Sequence, residues 1–295
     1  GSNPAPATIT PSPNPHGALH PRAPFSVQAS LPMNLPTPEL VRPGVWWLHS
    51  TRGANVYLVE ADDGSLGLVD TGFPQSTRAI LAQLAQLRRP LAAILITHHH
   101  FDHAGGAATL RRQTGARVVA GRGDCRPRDG RLELRTPVGR SHIARLLGSF
   151  LLPRPEPAPV DVAVEAQTEV LPGVLAIPTP GHTPGSLCFL VPRLNAAFVG
   201  DLVISHGGTL TRPLRMANAD DHCYLQSLAT FAAIAPQAGF PGHGTPVLDG
   251  FGEQLRQLAA LPRRNGAAAF APERLIRLAS FARGFTRARR PRHPG

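Results

Sequence analysis

Histidine and aspartate crowd into one short stretch of this chain, Thr97-His98-His99-His100-Phe101-Asp102-His103, directly after an apolar run that reads as a strand over Leu91 to Thr97. Imidazole and carboxylate side chains are the usual ligands of zinc-like borderline cations. So many donors in so few residues crowd a single ion. A loop leaving a strand end can instead turn His98 and His100 to one side and Asp102 and His103 to the other, which suits two adjacent ions. His99 alternates with these donors and is expected to point away from them.

The same chemistry recurs at three later turns. Pro180-Gly181-His182 places an imidazole in a tight loop, Val199-Gly200-Asp201 a carboxylate after an apolar strand, and Pro241-Gly242-His243 a further imidazole. A glycine beside each donor lets the backbone turn sharply and approach an ion closely. Any one of these would be weak evidence; their order along the chain is not. Upstream, Leu68-Val69-Asp70-Thr71-Gly72 ends another apolar run on an aspartate.

This order of residues resembles the metallo-β-lactamase superfamily, whose signature is HxHxDH followed by a distant histidine, an aspartate and a final histidine. The resemblance extends over roughly Val45 to Leu261 and implies a four-layer αββα sandwich, an α/β fold with its site along one edge of the sheets. It implies a first metal on His98, His100 and His182, a second on Asp102, His103 and His243, and Asp201 bridging both. Two divalent cations, zinc by default with manganese or iron able to use the same ligands, would then lower the pKa of a shared water. The resulting hydroxide would attack a carbonyl or phosphoryl centre without any serine or cysteine nucleophile. Asp102 is the candidate for orienting the nucleophile or moving its proton. Asp70 is the second catalytic candidate, expected to act from behind by orienting a ligand or its loop.

An aspartate at position 201 separates the chain from metallo-β-lactamases proper and is similar to the glyoxalase II and lactonase branch, so the expected reaction is hydrolysis of an ester, thioester or lactone. Neither match is complete. Only about thirty residues, many of them basic, follow Arg264, where glyoxalase II carries a helical domain. The stretch Leu202 to His206 lacks the tyrosine typical of quorum-quenching lactonases. A phosphodiesterase or nuclease of the same fold, and an oxidoreductase resembling the mononuclear-iron persulfide dioxygenases, are the alternatives. His206, His222 and Tyr224 are lesser candidates for lining the pocket, and His142, within the insertion, is expected at the surface.

The elements that must position these residues follow from periodicity. Strands read over Val45 to His49, Asn55 to Glu60 and Leu66 to Asp70, and a helix capped by Ser76 runs to about Arg88 with Ile80, Leu81, Leu84 and Leu87 on one face. After the histidine cluster come a helix over Ala104 to Gln113 and a strand over Ala116 to Ala120. Strands resume at Val162 to Ala166, Gly173 to Pro178, Ser186 to Val191 and Ala196 to Asp201. A helix over Asp221 to Ile234, a short strand into His243 and a helix over Glu253 to Leu261 complete the body. Each half thus reads as strands followed by helices, an echo of internal duplication.

Residues 1–36, rich in proline and alanine, are expected to be a disordered lead-in, 37–264 the catalytic domain with 121–159 as an insertion near the site, and 265–295 a basic tail. The chain has 295 residues, 42% of them hydrophobic, enough for a sizeable core. It contains no apolar stretch of membrane-spanning length and no intact signal peptide, so a cytoplasmic location is expected. Its net charge of +11 comes entirely from arginine among the basic residues. Much of that excess lies outside the motifs, so a small-molecule substrate is expected rather than nucleic acid. Three scattered cysteines exclude a disulfide framework.

Overall fold

A computed structural model of the chain describes residues 37–136 and 155–262. In chain order, β1 (Glu39–Arg42), β2 (Val45–Leu48), β3 (Val56–Glu60) and β4 (Leu66–Val69) form an antiparallel meander. Helix α1 (Thr77–Leu87) crosses to β5 (Leu91–Leu95), and helices α2 (Phe101–Ala104) and α3 (Ala107–Thr114) cross to β6 (Arg117–Gly121), both strands joining parallel. Three short strands follow, β7 (Cys125–Arg128), β8 (Arg131–Leu134) and β9 (Ala158–Pro159), before β10 (Val162–Val164) returns parallel to β6. The second half holds β11 (Thr168–Leu171), β12 (Val174–Pro178), β13 (Leu187–Val191) and β14 (Ala196–Gly200), then the hairpin β15 (Ile204–His206) and β16 (Thr209–Thr211). Helix α4 (Asp221–Ala232), strand β17 (Ala238–Pro241) and helix α5 (Phe251–Ala260) end the described chain.

The strands assemble into a seven-stranded sheet, β1-β2-β3-β4-β5-β6-β10, and a five-stranded sheet, β11-β12-β13-β14-β17. Both begin with antiparallel neighbours and end with a parallel crossover, the same succession of strands and helices that each half of the sequence shows. Their inner faces meet in one core that includes Tyr57, Leu95, Val119, Phe189, Phe198 and Phe240. Ile80, Leu110 and Val118 build a second core where α1 and α3 cover the first sheet, and Tyr224, Phe231 and Leu255 a third where α4 and α5 cover the second. The result is the expected αββα sandwich, each sheet apolar on both faces as parallel crossovers demand.

Several details depart from the periodicity reading. Ser76 precedes α1 but does not cap it; its hydroxyl takes the Arg52 N–H at 2.8 Å and so ties the 50–53 loop to the helix start. The single helix expected over Ala104 to Gln113 is split by Gly105 and Gly106, with its first turn already begun at Phe101. Strands β1, β11, β15 and β16 fall outside the runs that periodicity marks. Within 121–159, the described residues carry β7, β8 and β9, whose buried Cys125, Leu134 and Ala158 join the core under α3. Residues 137–154 of the expected insertion, His142 among them, the lead-in and the tail lie outside the described residues. Among the described residues no helix is long and apolar enough to cross a membrane.

Gly239 on β17 shows how tightly the outer layer is packed. A Cβ there would overlap the ring of fully buried Phe251. Gly239→Ala should cost about 1–3 kcal/mol by overpacking, a fall of about 2–12 °C in Tm. Thermal unfolding followed by circular dichroism measures this, and an unchanged Tm would contradict the packing.

Candidate metal centre

The donor residues leave the sheets at the same end. Asp70 follows β4, His98 to His103 follow β5, His182 lies between β12 and β13, Asp201 follows β14 and His243 follows β17. Of the strands these loops leave, β4 with β5 and β14 with β17 pair in parallel, and at the carboxyl ends of such strands α/β folds leave an open crevice. Backbone bonds stitch the two sets of loops together, Leu187 N donating to Thr97 O and Asn55 N to Gly242 O, both at 2.7 Å, while Ala54 N donates to Asp102 O at 3.0 Å within the first set. Gly242 is required by proximity, since a Cβ would stand 2.5 Å from His103 Cε1 and 2.9 Å from Asp201 Oδ1.

All seven sequence-predicted ligands converge, and they do so as two groups. His98, His100, His182 and Asp201 form one, and Asp102, His103 and His243 the other, with the donor atoms of each group within 4.8 Å of one another. In the first, His98 Nε2 lies 2.9 Å from His100 Nδ1, which lies 3.2 Å from His182 Nε2. In the second, His103 Nε2 lies 3.2 Å from His243 Nε2, which lies 3.2 Å from Asp102 Oδ2. Asp201 stands between the groups. Its Oδ2 is 3.5 Å from His182 Nε2, and its Oδ1 is 3.4 Å from His103 Nε2 and 3.5 Å from His243 Nε2.

These residues fit divalent cations on two counts. Asp201 Oδ1 is buried with no hydrogen-bond donor, an arrangement that is costly without a cation. Four of the donors also hold the protonation states that ligation needs. Burial and neighbouring histidines push His98 well below the ordinary imidazole range, and burial and His182 bring His100 down to about 3, so both are neutral at pH 7. Burial raises the carboxyls of Asp102 and Asp201, but adjacent histidines overcome it, lowering Asp102 to about 2 and Asp201 further. His103 alone is raised: burial opposes its charge, yet Asp201, Asp102 and Asp70 together outweigh burial. Its proton is the one an incoming cation would displace.

A further set of residues holds the donors from behind. Asp70 sits in the left-handed region at φ 58°, which turns its carboxylate back into the protein. Oδ1 accepts the Thr97 N–H at 2.8 Å, while Oδ2 accepts the Thr97 hydroxyl at 2.8 Å and lies 2.8 Å from His103 Nδ1. Asp70 thus holds Thr97 and His103 through hydrogen bonds, and His103 is the one donor those bonds reach. Asn218 Oδ1 lies 3.0 Å from His182 Nδ1, the carboxamide oxygen fixing a proton on that nitrogen and leaving Nε2 free to ligate. Asn55 Nδ2 donates to Pro241 O and Gly244 O, both at 2.8 Å, on either side of His243. Neither asparagine stands out in the sequence.

The lesser candidates separate clearly. His99 turns away from the donors, its Nδ1 3.5 Å from Asp124. Tyr224 is fully buried in the outer core and donates to Leu202 O at 2.8 Å, so it lines no pocket. His222 is exposed beside Gln226. His206 is half-buried on β15, next to Ser205, whose N–H is held by His243 O at 3.0 Å.

Asp70→Ala strands a buried hydroxyl and imidazole. Zinc affinity of the second group should fall about 10–100-fold, and the metal-free protein should lose about 1–3 kcal/mol. Competition with a chromophoric chelator and urea unfolding measure the two effects. Wild-type zinc affinity in a folded variant would contradict the role assigned to Asp70.

Known proteins resemble this chain in sequence and in fold. The uncharacterized protein YobT of Bacillus subtilis (strain 168) is 34% identical over 155 residues, 52% of this chain and 64% of that protein. Thioesterase pkgB of Emericella nidulans is 28% identical over 202 residues, 67% of this chain and 48% of that protein. The chain thus spans about half to two-thirds of the length of these relatives. A crystal structure of a metallo-beta-lactamase family protein from Thermus thermophilus superposes with a TM-score of 0.54 at 21% identity, over 74% of this chain and 78% of that one. The model of the metallo-beta-lactamase superfamily matches residues 50–262, the span that holds every donor described above, and the chain belongs to that superfamily.

Proposed function

We propose that this protein is a dinuclear metal-dependent hydrolase acting on a thioester, within the wider class of thioesters, esters and lactones. The position of Asp201 carries the reading. One carboxylate directs Oδ2 to the first donor group and Oδ1 to the second, as a ligand shared by two ions would. The thioester preference draws on the relative described as a thioesterase. The second donor group distinguishes the reading from mononuclear iron chemistry, for which the first group alone would suffice.

Divalent cations at this centre, zinc by default, supply Lewis acidity that makes a water nucleophilic near neutral pH and polarises a carbonyl. The protein's own residues do the rest. Asp201 and Asp102 supply the negative charge that holds the cations, and His182 is kept in its ligating tautomer by Asn218. Asp102 Oδ2, at the partly exposed side of the second group, would help hold the second cation, orient a water beside it and relay that water's proton. A covalent thiolate route is disfavoured: burial raises the thiols of Cys125 and Cys188 to about 11 and about 12, and Cys223 is raised too. The substrate is read as a small molecule, and the location as cytoplasmic.

Chelation should abolish thioester hydrolysis and zinc should restore it. Asp201→Ala should lower kcat/KM by at least about a hundredfold, the upper end of what losing a group behind the ligands costs, and reduce occupancy of both groups. A panel of thioester, lactone, β-lactam and phosphodiester substrates sets the class. Asp201→Ala protein that is fully metallated and active would overturn the shared-ligand assignment, and turnover of phosphodiesters alone would overturn the thioester reading.

A further inference from the structure

Asp124 belongs to neither donor group, yet its carboxyl group lies between the two loops that build the first one. It is 2% exposed and is placed by a short 3-10 turn, Arg122–Asp124, that follows β6. Oδ2 accepts the His99 N–H at 2.9 Å and the Thr183 hydroxyl at 2.8 Å. Oδ1 accepts the Gly185 N–H at 2.8 Å and lies 3.5 Å from His99 Nδ1. His99 sits between His98 and His100, and Thr183 directly follows His182. Asp124 is thus one residue away from three of the four donors of the first group and contacts none of them. The segments it joins are in backbone contact: a Cβ added to Gly121 or Gly123 would overlap the Pro184–Gly185 backbone, and one on Gly185 would overlap Asp124.

This arrangement has a specific consequence. His98 and His100 leave a strand of the seven-stranded sheet, whereas His182 leaves the five-stranded one. Their relative spacing is set where the two loops touch. A buried carboxyl taking hydrogen bonds from both loops fixes that spacing better than apolar packing, because its bonds are directional and costly to leave unmade. In the second group, His103 is held by Asp70 and the loop carrying His243 by Asn55.

We propose that Asp124 is a positioning residue that clamps the His98–His100 loop to the His182 loop, and thereby sets the metal affinity of the first donor group alone. The proposal rests on the two-group metal reading above. Its test is zinc affinity of the purified full chain, measured by chelator competition in two backgrounds. His243→Ala leaves the first group as the tighter site, and His182→Ala leaves the second. Asp124→Ala should weaken zinc about 10–100-fold in the His243→Ala background and leave affinity unchanged in the His182→Ala background. Asp124→Asn retains an oxygen for one loop and should recover part of the loss. Should Asp124→Ala fail to fold, Thr183→Val, which removes a single donor to Asp124, should give a smaller loss confined to the same background. Equal weakening in both backgrounds, or none in either, overturns the clamp while the metal reading stands. Wild-type protein that takes up no zinc overturns the metal reading and the clamp together.

Discussion

Imidazole nitrogens directed at one another, with carboxylates among them, are the constraint on which the rest of this structure depends. Donors that approach to 2.9–3.2 Å across each group repel unless a proton or a cation lies between them. Burial removes the water that would otherwise screen that repulsion. The protein must therefore hold its donors together by force from behind, and nearly every polar group behind the site serves that end. Asp70 fixes His103, Asn218 fixes His182, Asn55 brackets His243 and Asp124 joins the loops.

The fold supplies what those outer groups need, a rigid surface facing the same way on both sheets. Because each sheet ends in parallel strands, the loops that follow β4, β5, β14 and β17 emerge at one edge. The core between the sheets reaches up to that edge. Tyr57 packs against Phe198 and Phe240 with centroids 5.6 and 5.4 Å apart, and its hydroxyl donates to Pro241 O at 3.2 Å, two residues before His243. Packing and ligand placement are thus coupled through single residues rather than through the fold in general.

What could be read in the sequence follows the same physics. The donors were legible because histidine and aspartate beside glycine, at the ends of apolar runs, are uncommon together and chemically specific. The strands that hold them were legible as short apolar runs. Of the outer groups only Asp70, at the end of an apolar run, was: Asp124, Asn55 and Asn218 look like ordinary loop or turn residues, and only the pairing of distant segments gives them their partners. Ser76 illustrates the opposite error. Its position suits a helix cap, but a nearer competitor, the Arg52 backbone, takes its hydroxyl. Strand β1, largely exposed as Glu39-Leu40-Val41-Arg42, and the hairpin turning at Gly207-Gly208 have too little buried periodicity to announce themselves.

In the function proposed above, two cations resolve the repulsion among these donors. Elemental analysis of the purified wild-type chain tests this most directly. About two divalent metal ions per chain are expected, removed together with the loss of hydrolysis. One ion per chain, retained when Asp102, His103 or His243 is replaced, would contradict the two-cation centre and leave the second group without the role assigned to it.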